Sequence, residues 1–160
     1  APTAAPADLS ELRPGEREAT TWLSANPLRV LLAEDNRTNQ MVFQKFLKDL
    51  PIEVTTVATG QDALEAYTTG HFDVIFMDIN MPRMDGITAT GHIRRAETAA
   101  GHEPTPIVAL TANAMVDQIA QYLSAGMNAH LPKPLKKSRL LIELAEAAMT
   151  QRKSDKVAAG

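Results

Sequence analysis

The chain has 160 residues, 44% hydrophobic and 22% charged, with 16 Lys plus Arg against 19 Asp plus Glu for a net charge of −3. That composition suits one globular domain with room for a tail, and the slight acidity excludes a general binder of nucleic-acid backbones, which needs a basic face. Without any cysteine, disulfides, thiolate zinc sites and a Cys nucleophile are excluded, and the longest apolar runs fall far short of the roughly 18 residues that span a bilayer.

Residues 1–27 read as an Ala/Pro-rich linker or tail, punctuated by Pro2, Pro6, Pro14 and Pro27. Glu16 to Leu23 has the length for about two turns of helix, with Trp22 and Leu23 as its only apolar anchor. The chain opens Ala1-Pro2-Thr3, without Met and without a basic-then-apolar targeting segment, as expected of a piece cut from a longer protein.

From Leu28 two periodicities alternate. Leu28 to Ala33 is an apolar run of strand length, followed by a helical pattern in Val42, Phe43, Phe46, Leu47 and Leu50 that Pro51 ends. Ile52 to Val57 predicts a second strand, and Ala63, Leu64 and Tyr67 a helix between Gly60 and Gly70. Phe72 to Met77 predicts a third strand, and Ile87, Ala89, Ile93 and Ala96 its helix. After a loop at Gly101-His102-Glu103-Pro104 come a strand at Ile107 to Leu110 and a helix marked by Met115, Ile119, Tyr122 and Leu123. A weak strand at Asn128 to Leu131 and a helix through Leu140, Leu141, Leu144, Ala145 and Ala148 close the domain, assigned to residues 28–150. Residues 151–160 are polar and expected to fray. Strict alternation predicts an α/β fold, a doubly wound parallel sheet covered by helices on both faces. Ligands of such folds sit beyond the carboxyl ends of the strands.

The first strand ends in Glu34-Asp35-Asn36 and the third in Asp78. Carboxylates converging there repel one another unless a cation lies among them, and oxygen ligands without His or Cys suit Mg2+. Taken alone, Glu34 and Asp35 also read as caps of the following helix. Thr111 ends the fourth strand, and Lys133 follows the fifth just before Pro134. An acid, a hydroxyl and an ammonium around one metal make a site for a phosphoryl group, with Asp78 as nucleophile.

Leu28 to Ala148 resembles a response-regulator receiver domain of two-component signalling. The stretches that carry the likeness are Val30 to Asn36, Asp73 to Gly86 with its Met81-Pro82-Arg83-Met84-Asp85-Gly86 run, Ile107 to Asn113, and Lys133-Pro134. The resemblance implies a flavodoxin-like (βα)5 fold with a five-stranded sheet in the order 2-1-3-4-5. It implies Asp78 as phosphoacceptor, and Mg2+ held by Glu34, Asp35, Asp78 and the backbone carbonyl of Asn80. It further implies Thr111 and Lys133 on the phosphoryl oxygens, and a cis Lys133-Pro134 bond. The partners implied are a histidine kinase or a histidine phosphotransfer domain, and other domains of the chain's own parent kinase. With Asn36-Arg37-Thr38-Asn39-Gln40 after the acids, the sequence is most like receivers of hybrid sensor histidine kinases; a free-standing regulator is the other reading. No kinase core is visible in this chain, no helix-turn-helix follows Ala148, and neither nucleic acid nor membrane is an expected partner. The expected location is the cytoplasm, with a parent that membrane segments can anchor.

One departure stands at position 130, where the resemblance implies an aromatic switch residue and the chain has His130; its plainer reading is a strand-end histidine with no signalling role. The competing function is a pseudo-receiver acting through protein contacts without phosphorylation, which has no need of the complete acid, Thr and Lys set. A flavodoxin-like cofactor binder shares the layout, but Glu34 and Asp35 would repel a cofactor phosphate.

Overall fold

The computed structural model describes residues 15–112 and 115–159. Positions 1–14 of the expected linker, Asn113 of the family-like stretch, and Gly160 lie outside the described residues. The elements in chain order are α1 (Glu16–Ala25), β1 (Leu28–Ala33), α2 (Arg37–Leu47), β2 (Ile52–Val57), α3 (Gly60–Thr69), β3 (Val74–Asp78), α4 (Gly86–Ala100), β4 (Ile107–Thr111), α5 (Val116–Ser124), β5 (Ala129–Pro132) and α6 (Lys137–Ala159). The strands form one parallel sheet in the order β2-β1-β3-β4-β5, as the resemblance implies.

The apolar runs become the middle of that sheet. Every residue of β3 and β4 is buried, and in β1 only Arg29 is exposed, because helices cover both faces. Alternate side chains therefore feed two cores. Val30, Leu32, Val74, Phe76, Val108, Leu110 and Leu131 meet α1, α2 and α6 on one face. Leu31, Ala33, Ile75, Met77, Ile107 and Ala109 meet α3, α4 and α5 on the other. On the first face, the Phe43 and Phe76 rings pack edge to face at 5.0 Å between centroids.

Local chemistry starts and stops the helices. Asn36, Thr59 and Asp85 cap α2, α3 and α4, each accepting a backbone N–H three residues on, at 3.0, 3.0 and 2.8 Å. Gly101, at φ 71°, supplies the left-handed turn that ends α4. The loop after it is fastened to the helix it leaves. Buried Glu97 accepts the Thr105 N–H at 2.7 Å, the Tyr67 hydroxyl at 2.8 Å and the Arg94 guanidinium at 2.7 Å. A carboxylate so enclosed needs those partners to offset its lost hydration.

The two turns of helix foreseen from Glu16 form, and both ends of the chain carry more ordered helix than the linker and tail assigned to them. The linker expected through residue 27 gives way at Glu16 to α1, whose Ala19 and Leu23 are fully buried in the core against Leu140, Leu144 and Ala148. Likewise α6 continues as helix to Ala159, where fraying was expected from Gln151. Arg152 joins the two ends: its guanidinium donates to Asn26 Oδ1 at 3.0 Å and to the Pro27 carbonyl at 3.1 Å, and lies 5.6 Å from the centre of the Trp22 ring.

Candidate functional site

Sheet register brings the acids together. Ala33 pairs with Met77, so Glu34 and Asp78, the next residue on each strand, emerge side by side at the carboxyl end. Alternation points both toward the face of Leu32 and Phe76. Glu34 is 1% exposed and Asp78 3%, while Asp35 is open to solvent. One carboxylate oxygen from each of the three lies within 4.8 Å of the others.

Lys133 reaches into this group from the far edge of the sheet. Its backbone N–H donates to the Thr111 carbonyl at 2.8 Å, which keeps the chain beside β4, and the Lys133-Pro134 bond is cis. The Lys133 ammonium stands 3.0 Å from Glu34 Oε1 and 3.1 Å from Asp78 Oδ2. The other oxygens take backbone donors: Asn36 N–H to Glu34 Oε2 at 3.0 Å and Asn80 N–H to Asp78 Oδ1 at 3.2 Å. Gln40 braces the same corner by donating its side-chain amide to the Glu34 carbonyl.

Glu34 and Asp35 are thus not the caps of α2, a role Asn36 fills. Thr111 is not a cap either, since α5 begins at Val116. Its hydroxyl is buried on the opposite face of the sheet edge, 3.0 Å from the hydroxyl of Tyr122, which donates in turn to Gln118 Oε1 at 3.1 Å. His130, half-buried on β5, pairs with Ala109 and so lies on that face too. The sequence reading missed Tyr122 because it falls at an apolar position of the α5 pattern; its one signal was a hydroxyl that burial obliges to find a partner.

The loop from Ile79 to Asp85 turns back against the end of β3 and the start of α3. Gly86 donates to the Ile79 carbonyl at 3.0 Å, and a Cβ there would collide with the Asp78 carbonyl. Gly60 likewise lies against the Met84 carbonyl with no room for a side chain, and Arg83 holds a left-handed φ of 71°. These contacts explain the spacing of the Met81 to Gly86 run.

Burial pushes the Asp78 carboxyl up to about 6, with the Glu34 charge adding to the rise and Lys133 and the Asn80 N–H opposing it. For Lys133, burial favours the neutral amine, but the Glu34 and Asp78 carboxylates outweigh it and hold its pKa above the ordinary value. Three carboxylates against one ammonium leave excess negative charge where two of the acids are buried and the third is open to solvent. An oxygen-only donor set of that kind fits a hard divalent cation such as Mg2+.

A parallel sheet with acids at the ends of adjacent strands and a lysine facing them defines a flavodoxin-like module built around a carboxylate cluster. Residues 30–145 match the model of the response regulator receiver domain, and the chain belongs to that family. It is 39% identical over 133 residues to the sensor histidine kinase GacS of Pseudomonas protegens, covering 83% of this chain and 14% of that protein. It is also 39% identical over 137 residues to hybrid signal transduction histidine kinase B of Dictyostelium discoideum, covering 81% of this chain and 7% of that protein. The chain therefore spans a small fraction of the length of these relatives. Among solved structures, it resembles the receiver domain of a Pseudomonas aeruginosa sensor histidine kinase with a magnesium ion coordinated in its active-site cleft (38% identity, TM-score 0.69, 77% of this chain and 98% of that one). It also resembles the Ssk1 receiver of Saccharomyces cerevisiae, crystallised with the histidine phosphotransfer protein Ypd1 (32% identity, TM-score 0.75, 78% and 91%). Among the described residues no helix is long and apolar enough to cross a membrane.

Proposed function

We propose that this receiver accepts a phosphoryl group from a phosphohistidine onto Asp78 and carries it as an acyl phosphate. One Asp78 carboxylate oxygen attacks phosphorus, a P–O bond forms, the P–N bond to the donor imidazole breaks, and the bond electrons leave with that ring. The observation that carries the reading is Lys133 Nζ at 3.1 Å from Asp78 Oδ2, a fixed cation beside the one buried carboxylate at the end of the central strand. Lys133 offsets charge on the incoming phosphoryl oxygens, and Thr111 supplies a hydroxyl to another of them. Glu34, Asp35, Asp78 and the Asn80 backbone carbonyl are the ligands we assign to Mg2+, which when bound neutralises phosphoryl oxygens. His130 lies on the face of the sheet that responds to Thr111.

The donor partner in this reading is a histidine kinase or a histidine phosphotransfer domain, in keeping with the Ypd1 complex of the yeast relative, or kinase domains of a longer parent protein in keeping with GacS. Phosphohistidine made from ATP assigns the reaction to the cytoplasm. The test is intact-mass measurement after incubation with a small acyl-phosphate donor. Wild type should gain one phosphoryl mass only with Mg2+, and Asp78→Asn none. A gain in the Asn variant equal to wild type would refute the assignment.

A further inference from the structure

Glu34 is held by each polar group it carries. Its N–H donates to the Val57 carbonyl at 2.9 Å, and its carboxylate accepts the Lys133 ammonium and the Asn36 N–H. Its carbonyl, just past the last paired residue of β1, accepts the side-chain amide of Gln40, one turn into α2. A carbonyl only accepts, so the nitrogen of that amide must face it. The same carbonyl belongs to the peptide that joins Glu34 to Asp35. Glu34 is buried and Asp35 is exposed, so the place of the Asp35 carboxylate is set by this peptide and not by packing. Gln44, one turn further along the same side of α2, donates to the Thr56 hydroxyl at 2.9 Å. It ties the helix to β2, a strand that carries none of the three acids.

We propose that Gln40 is a positioning residue for the divalent cation: its amide fixes the plane of the Glu34–Asp35 peptide and so holds the Asp35 carboxylate beside Asp78. The inference rests on the assignment of Glu34, Asp35 and Asp78 to Mg2+. Without a cation, three carboxylate oxygens within 4.8 Å of one another repel. Asp35, the exposed member, is the one that can swing away by rotation of the backbone that carries it. A donor on the preceding carbonyl resists that rotation, so the ligand set stands ready and less ordering opposes binding. Mg2+ demands near-octahedral geometry, which makes a displaced ligand costly.

Calorimetric titration of the full chain with Mg2+ tests this, with the NMR shift of the Asp35 amide nitrogen as a second readout, because that nitrogen shares its peptide with the Glu34 carbonyl. Gln40→Ala suits a helix interior and should keep the fold. It should weaken Mg2+ binding about tenfold, the low end of what losing a group behind a metal ligand costs, and should move the Asp35 signal. Gln40→Glu keeps the reach but has no N–H to donate. Its charge alone would strengthen cation binding, so weaker binding in this variant separates positioning from electrostatics. Gln44→Ala loosens α2 on β2 and should leave both readouts near wild type. Wild-type Mg2+ affinity in Gln40→Ala, tighter binding in Gln40→Glu, or equal weakening in Gln44→Ala overturns the inference. Failure of wild type to bind Mg2+ would instead refute the metal site, and the inference with it.

Discussion

Asp78 is held between opposing demands. A nucleophile must be ionised, yet burial and the neighbouring Glu34 charge push its pKa up to about 6. Below that value a metal must displace a proton to bind, so Mg2+ affinity should fall about tenfold per pH unit under pH 6 and level off above it. Calorimetric titration across that range checks this, and a flat profile would contradict it. The same shift affects folding. The folded pKa lies above the ordinary 3.8, so the metal-free folded state holds its proton more tightly than the unfolded chain. As pH rises between those two values, stability is lost, and above them the full penalty remains. Asp78→Asn removes the ionisation, so the metal-free variant should be more stable than wild type near neutral pH by on the order of 2 kcal/mol. Urea unfolding in the presence of a chelator measures it.

Individual residues also show where sequence reading reaches its limit. Glu34, Asp35, Asp78 and Lys133 were legible because a parallel sheet delivers its strand ends to one place whatever the details of packing. Tyr122 was not, because its partner Thr111 is chosen by tertiary packing across a helix-to-strand interface. At helical spacing, a Tyr in an apolar stripe reads as core.

The elements divide along the same line. The central strands were legible because burial on both faces leaves continuous apolar runs, as in Val74 to Met77. Of helix α1 the two turns were legible but the packing was not: its buried residues are Ala19 and Leu23, and the residues that cover them lie in α6, more than a hundred positions away. Leu23→Ala should therefore cost about 2–4 kcal/mol in urea unfolding while leaving Mg2+ affinity unchanged, since α1 joins β1 at the end of the sheet opposite Asp78. A loss below about 0.5 kcal/mol, typical of exposed positions, would mean that α1 is not part of the core. The loop before α4 carries a different constraint. Gly86→Ala drives a methyl group into the Asp78 carbonyl, so the loop must move. Weakened Mg2+ binding at a smaller cost in stability is the expected result, and wild-type Mg2+ affinity would show that the loop does not shape the site.

At the scale of the whole molecule, the buried carboxylates and the Thr111 hydroxyl occupy opposite faces of one sheet edge. Asp78 and Glu34 point toward the α2 and α6 face, whereas Thr111 meets α5 on the other. In the proposed function, a charge added at Asp78 would reach the other face of the sheet through Thr111. The account stands or falls on the acyl phosphate at Asp78. Its most direct test is reductive trapping: after incubation with Mg2+ and a phosphodonor, borohydride converts an aspartyl phosphate to the corresponding alcohol, and peptide mass mapping locates it. The account predicts one reduced residue, at position 78, absent when Mg2+ is omitted. Trapping at Asp35 or at any other residue, or no trapping with Mg2+ present, would contradict it.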